Sequence, residues 1–331
     1  MLEGFPKKLL DNILCMQDRG NLHIDRVVVG GDRTVFHGTV RCVQCGSSYE
    51  IKNGILDMLS SKRPKNDTNY YEMAVRDREA GTVSEEWERG YAIANAMEIP
   101  STLNKLGGFE QISESDILEL GGGTGRYTKF LAQKPRFVLA VDFSWQSLVM
   151  NSRACAGANN VGLVCADIPQ LKIQSESFDL ALSTCYSNLP TQDIRRSSTK
   201  IVAEALKKEG RYVLSAHHHH PLEIFKNIPA IRRYNNGIFY HCFTAKTLKK
   251  EMYEYFSKIK TNTVCIWVPR ISRIKKTRVL VSRISERIPL LNRLGYILLA
   301  TGIKGYIIFL FMKKRIDNDC FFDFFCDCFI L

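Results

Sequence analysis

From residue 116 to residue 218 the chain alternates short apolar runs with segments of helical pattern. DILEL (116–120), RFVLAVDF (136–143), VGLVCAD (161–167), FDLALSTC (178–185) and RYVLSAHH (211–218) are the runs. Each is apolar nearly throughout, which marks a strand covered on both faces. Between them RYTKFLAQ (126–133), SWQSLVMNSRACAG (144–157) and IRRSSTKIVAEALKKEG (194–210) read as helices, with Ser144 as an N-cap and Gly210 closing the last. Strand–helix alternation predicts a mostly parallel, doubly wound α/β sheet. Ligands of such sheets bind beyond the carboxyl ends of the strands.

The first of those ends is LELGGGTGRY (118–127), with glycines at 121, 122, 123 and 125. Glycine there permits a sharp turn and leaves room for a ligand on the backbone. The following helix start points N–H groups at that ligand. Glu119 precedes the turn, and Asp142 ends the next run, twenty-one residues after Gly121. A carboxylate at that strand end can accept two hydrogen bonds from a ribose diol. Glycines at such turns also serve tight helix–strand packing, so the loop alone is a weak signal.

The glycines fall as G-x-G-x-G with an acid two residues ahead. This resembles motif I of class I S-adenosylmethionine-dependent methyltransferases, and the type 11 group in particular. The rest follows in that family's order. VLAVDFS resembles motif II, and the resemblance puts Asp142 on the ribose with Phe143 beside it. LVCADIPQL resembles the segment in which Asp167 reads the adenine amino group and Ile168 lies against the ring. SFDLALSTCYSNLP is similar to motif IV and adds Ser183. EALKKEGRYVLSA resembles the next signature, although Glu209 replaces one of its usual two glycines. The resemblance covers about residues 70–260. It implies a Rossmann-like sheet, mostly parallel with an antiparallel C-terminal hairpin, and S-adenosylmethionine as cofactor. Gly121, Gly123 and Gly125 would form its loop, with Gly121 and Gly123 behind the methionine portion. Glu119 suits a ligand with ammonium and sulfonium charges and would repel a pyrophosphate. Tyr71, or its neighbour Tyr70, is expected to close over the cation. Tyr186, Asn188 and His217 are the candidate catalytic groups, because they end the two strands that face the acceptor. His217–His220 sit at a strand end; a metal there would need a further ligand such as His241, and a solvated loop is the plain alternative.

Residues 1–60 differ from this pattern. They hold short β-like runs and CVQC (42–45), followed by GSSYEIKNGILDML. This is similar to the second half of a Trm112-like zinc-ribbon domain, a small α+β module. Cys15 stands where the first knuckle begins, but Asp18 replaces its second cysteine. Two outcomes stay open: a structural Zn2+ on Cys15, Asp18, Cys42 and Cys45, or a ribbon fold without metal. By the same resemblance the module suits substrate presentation or contact with a protein partner. SKRPKNDTN (61–69) reads as a linker to a domain spanning 61–315. The tail 316–331, aromatic and rich in Asp and Cys, has no readable period and is assigned no role.

The net charge is +12. Residues 270–315 hold twelve Lys and Arg against one acid, Glu286. The 270–295 part is expected to rest on an anionic membrane surface or on RNA phosphate, unless it is simply a solvated face. Tyr296–Met312 is apolar but broken by Gly302, Lys304 and Gly305, so a hairpin (YILLATG, then GYIIFLFMKK) is preferred over a membrane span. Eleven cysteines, several inside apolar runs, and no signal-peptide pattern suggest a cytoplasmic protein, peripheral at the membrane if the basic segment binds lipid. The expected function is methyl transfer to a small-molecule, lipid-like or quinone-like acceptor. An rRNA or tRNA methyltransferase is the nearest rival; a non-catalytic adaptor with a vestigial cofactor site is the other.

Overall fold

The computed structural model describes residues 1–59, 68–89, 91–133, 136–184, 186–189, 191–266 and 275–305. The front of the chain forms β1 (Phe5–Pro6), β2 (Leu22–Gly30), β3 (Thr34–Cys42), β4 (Ser48–Lys52) and β5 (Ile55–Asp57). Three helices follow: α1 (Thr68–Arg89), α2 (Ala92–Leu106) and α3 (Gly108–Ser113). The alternating region then gives β6 (Asp116–Leu120), α4 (Thr128–Leu131), β7 (Phe137–Asp142), α5 (Trp145–Ala154), β8 (Val161–Cys165) and β9 (Phe178–Ser183). It continues with α6 (Gln192–Ala205), β10 (Leu206–His218), α7 (Pro221–Phe225), β11 (Ile231–Arg233), β12 (Phe239–Phe243) and α8 (Ala245–Met252). β13 (Phe256–Val264), α9 (Lys275–Ser285) and β14 (Ile297–Lys304) complete the described elements.

The five predicted runs are β6, β7, β8, β9 and β10, all parallel, in the spatial order β8-β7-β6-β9-β10. The order reverses between β6 and β9, which opens a crevice at their carboxyl ends. Alternate residues feed two apolar layers. Leu118, Leu120 and Val141 pack with Val202 of α6 and Leu248 of α8. Ile117, Val138 and Ala140 pack on the other face with Ile99 of α2 and Leu148 of α5. Ser144 caps α5 as predicted, its side chain accepting from the Ser147 amide.

Two expectations are corrected. First, the antiparallel end of the sheet is not a hairpin of consecutive segments. β14 lies between β10 and β13 and is antiparallel to both, so its two edges are already taken. The second half of the expected hairpin, and the tail 316–331, lie outside the described residues. Second, α6 stops at Ala205 and Gly210 lies inside β10. Leu206 is fully buried and pairs with Phe178, so the chain must turn into the sheet there, through a register shift that ends at Arg211.

The front module is built into the same sheet. β5 pairs parallel with β8, and β4 and β3 extend the sheet beyond it. Phe5, Leu9 and Ile13 join the layer that contains Val164, Ile168 and Phe178. Gly162 permits this approach: a Cβ there would lie 2.7 Å from Leu9 Cδ1 and 3.0 Å from Phe5 Cε2. No helix among the described residues is long and apolar enough to cross a membrane.

Candidate active site

Four strand ends converge on one pocket. β6 supplies Gly121 and Gly123, β7 supplies Asp142 and Phe143, β8 leads to Asp167 and Ile168, and β9 leads to Thr184 and Asn188. Gly121 and Gly123 have φ of +73° and +49°, in the left-handed region that side chains avoid. A Cβ on Gly123 would meet nothing nearer than Gly121 O at 3.9 Å, so it would project into the open pocket. That space is a cradle for a ligand lying on bare backbone. Gly122 and Gly125 serve another purpose. A Cβ on Gly125 would sit 2.8 Å from Asn151 Oδ1 of α5, and Gly125 does not line this pocket. Its expected place in the cofactor set is corrected: it is the close-packing glycine. Asn151 holds the loop from behind, its Nδ2 donating to Gly122 O at 3.3 Å and to Thr128 Oγ1 at 2.9 Å.

The acids are fixed before any ligand arrives. Asp142 is buried; one carboxylate oxygen accepts from the Gly123 amide at 2.9 Å and the other from the Ser144 amide at 2.8 Å. Each oxygen keeps a further lone pair for a diol. Burial pushes its carboxyl above the usual range. Glu119 is buried beneath the loop, accepts from Thr128 Oγ1 at 2.7 Å, and is pushed by burial up to about 8. A carboxyl in that state becomes a strong anion when a cation is placed beside it. Asp167 and Ile168 are buried side by side at the next strand end, one polar and one apolar surface for a base. This donor set fits S-adenosylmethionine: an acid for the ammonium, bare backbone for the chain, an acid for the diol and a polar–apolar pair for the adenine.

Helix α1 closes the pocket in a way the sequence did not reveal. Tyr71 is exposed, and its hydroxyl donates to Asn236 O at 2.8 Å in the β11–β12 turn. It does not line the pocket, so its expected cofactor contact is corrected. The next residue, Glu72, and Arg76 one turn on do line it, paired at 3.2 Å. Asp77 accepts from Ser144 Oγ at 2.7 Å and from the Gln146 amide at 3.0 Å, which pins α1 to the start of α5. Glu72 and Arg76 of the pocket wall are therefore unreadable by motif, because α1 is placed by contacts with segments far along the chain.

On the acceptor side, Asn188 lines the pocket and its Nδ2 donates to Phe239 O at 3.4 Å. The Tyr234 hydroxyl lies near Asn188 and 2.6 Å from His217 Nε2. Tyr234 stacks on Tyr240 at 4.4 Å. Asn188, Tyr234 and His217 form a chain leading away from the pocket. Burial lowers His217 below the usual histidine value, which favours the neutral ring. Tyr186 is corrected. It is fully buried against Phe243, with its hydroxyl between Thr199 and Glu251, and it does not line this pocket. Ser183 is likewise within the sheet, level with Leu120 and Leu214; its successor Thr184 reaches the pocket instead. The other histidines have structural partners. His218 Nδ1 donates to Gly295 O, His219 Nε2 donates to Ile228 O, and His220 caps α7. They form no cluster of metal-ligand spacing with His241 among the described residues.

That spacing occurs at the far end of the sheet. One ligand atom each from Cys15, Asp18, Cys42 and Cys45 lies within 4.8 Å of the others. The Gln17 and Gln44 amides approach the Cys15 and Cys42 sulfurs at 3.4 Å, and the Gly20 amide donates to Asp18 and holds its carboxyl down to about 2. Three thiols and one carboxylate in this arrangement match a tetrahedral zinc donor set.

Comparison with known proteins agrees with the pocket. A family described as "Methyltransferase domain" matches residues 117–210. Phosphoethanolamine N-methyltransferase 3 of Arabidopsis thaliana is 39% identical over 74 residues, 22% of this chain and 15% of that protein. The wheat phosphoethanolamine N-methyltransferase is 32% identical over 133 residues, 40% of this chain and 25% of that protein. A malonyl-[acyl-carrier protein] O-methyltransferase of Marinomonas is 33% identical over 85 residues, 25% of this chain and 32% of that protein. This chain thus spans between 15% and 32% of these relatives' lengths. Among solved structures, the DhpI-SAM-HEP complex superposes with a TM-score of 0.50 at 15% identity, covering 72% of this chain and 99% of that one. That likeness shows the fold. The central part of the chain is a class I, S-adenosylmethionine-dependent methyltransferase domain.

Proposed function

We propose that the protein transfers a methyl group from S-adenosylmethionine to a small, polar-headed acceptor, with the Asn188–Tyr234–His217 chain receiving the acceptor's proton. The observation that carries the reading is the convergence of bare glycine backbone, Glu119, Asp142 and Asp167 on one crevice. When bound, the cofactor supplies an electrophilic methyl carbon on a sulfonium. The chain's own part is positional and protic. Glu119 and Asp167 would fix the two ends of the ligand and Asp142 its middle, and α1 covers it with Glu72 and Arg76, which excludes water and orients the partner nucleophile. Asn188 faces the acceptor and lies beside Tyr234. Where the acceptor bears a proton and reaches past Asn188 to Tyr234, the Tyr234 oxygen takes it as its own hydroxyl proton passes to His217 Nε2. That step uses the neutral tautomer with its proton on Nδ1.

The relatives named as phosphoethanolamine N-methyltransferases favour an amine with a phosphate; the malonyl carrier enzyme favours a carboxylate. The pocket's acids and cations, Glu72 and Asp142 with Arg76 and Arg126, suit a zwitterionic head better than an apolar ring. Incubation with methyl-labelled cofactor and phosphoethanolamine, ethanolamine lipids or a small-molecule extract should label one of these fractions. Label only in RNA would favour the rival fed by the +12 charge. The absence of any heat on titration with S-adenosylhomocysteine would favour a non-catalytic adaptor. The front module completes the proposal as a zinc-binding ribbon on Cys15, Asp18, Cys42 and Cys45, offering a surface to a protein partner.

A further inference from the structure

α9 is built with its polarity inverted. Ser282 and Ser285 are 0% and 4% exposed, whereas Leu280, Ile284 and Ile288 are 59%, 52% and 41% exposed. Arg283 and Arg287 lie on the same outward stripe, at the i, i+3, i+4, i+7 spacing of one helical face. The inward serines are used: Ser282 Oγ accepts from the Ile266 amide and donates to Glu286. A helix that only had to be solvated would carry the serines outside and the isoleucines inside. Leu290, Leu294 and Tyr296 continue the exposed apolar surface past the helix.

α7 adds to it. None of its residues is buried, and Phe225 is 85% exposed beside exposed Leu222 and Ile224. The two segments belong to one face. His220 stacks on Tyr296 at 6.0 Å, and Pro221 and Ile224 share a groove with Pro289 and Arg293. The cations of this face, Arg283, Arg287, Arg293 and Lys226, are exposed. Its acids are engaged: Glu223 pairs with Arg232 at 2.8 Å, and Glu286 accepts from Ser101 at 2.7 Å. Outward leucine, isoleucine and phenylalanine set among arginines suit an interface with apolar depth and negative charge at its rim.

We propose that α7, α9 and the segment to Tyr296 dock the protein onto an anionic lipid bilayer. The apolar side chains enter the headgroup boundary and the arginines meet lipid phosphates. The face adjoins the end of β10 that carries His217, so docking sets the acceptor side of the pocket toward the membrane. The inference goes beyond the proposed methyl transfer and does not depend on it, since binding is read without turnover.

The test is co-sedimentation of the full chain with vesicles of phosphatidylcholine alone and of phosphatidylcholine with phosphatidylserine. Wild type should bind the mixed vesicles more strongly. Phe225→Glu with Ile284→Glu should lower partitioning by about tenfold or more, and Arg283→Gln with Arg287→Gln should remove the preference for phosphatidylserine. An unchanged far-UV spectrum and cooperative thermal transition show that each variant is folded; the milder pair Leu280→Ser and Ile284→Ser replaces any that is not. Val28→Glu, on the exposed part of β2, should change nothing. The proposal is overturned by absent vesicle binding, or by binding that the apolar variants leave intact. It is equally overturned if those variants abolish a dimer in sedimentation velocity instead, or if the chain binds RNA in their place.

Discussion

Glu119 provides the sharpest test of the cofactor site. Its carboxyl, buried beside the loop and pushed up to about 8, is protonated in about nine of ten molecules at pH 7. An ammonium placed next to it stabilises the carboxylate, so binding must first release that proton. At pH 7 the release costs about 1.4 kcal/mol, a tenfold weakening relative to a pH above 8. Affinity for S-adenosylhomocysteine should therefore rise nearly tenfold from pH 6 to 7, more gently to pH 8, and then level off. Calorimetry at pH 7 in buffers of different ionisation enthalpy should show close to one proton released per ligand bound. Glu119→Gln, which keeps the hydrogen-bonding shape, should bind more weakly above pH 8 and lose the pH slope. The stability of the free protein runs the opposite way. A carboxyl raised on folding stabilises fully below its unfolded value, and that contribution is lost as pH climbs through about 8. A flat affinity profile between pH 6 and 8, with no proton release, would refute the placement of a cation at Glu119.

Three further outcomes are expected. Tyr234→Phe should lower kcat by about 10²-fold with little change in KM, while His217→Ala should also remove the acid limb of the pH profile, which lies below the usual histidine value because burial lowers His217; wild-type kcat in Tyr234→Phe would show that the hydroxyl carries no proton. Gly125→Ala should destabilise the fold by about 1–3 kcal/mol, seen as a lower Tm, because a Cβ at φ +88° meets Asn151 Oδ1 at 2.8 Å. The purified chain should release close to one zinc to a chromophoric chelator, with a Tm drop of about 5 °C or more, and Cys42→Ser should carry none; a wild type without metal would assign the front module to a metal-free ribbon.

The sheet and the strand-end acids were legible because their signals are local. β6 to β9 and the second half of β10 are mostly apolar, and each acid lies within two residues of its strand's end. The residues misread sit one step from a correct one. Tyr71 and Glu72, Ser183 and Thr184, are neighbours that face different ways, and nothing within five residues decides which one faces the ligand. Tyr186 ends the right strand but turns inward, because Thr199 and Glu251 satisfy its hydroxyl in the core. Tyr234 and Asp77 were invisible for another reason. Their partners, His217 and Ser144, lie 17 and 67 residues away in sequence. β13 escaped because SKIKTNTV alternates polar residues along an edge, a weaker pattern than the buried run beside it.

The pairing of β5 with β8 has a practical outcome. Asp167 lies two residues past the end of β8, and the strand beside β8 belongs to the cysteine-bearing front of the chain. Trimming the first 59 residues would strip a hydrogen-bonding neighbour from β8 and bare Val164 and Ile168 to water. Such a truncation should yield insoluble material rather than a lean catalytic core. The front module is thus structural masonry for the pocket, and damage at its cysteines should reach the Asp167 end of the pocket first.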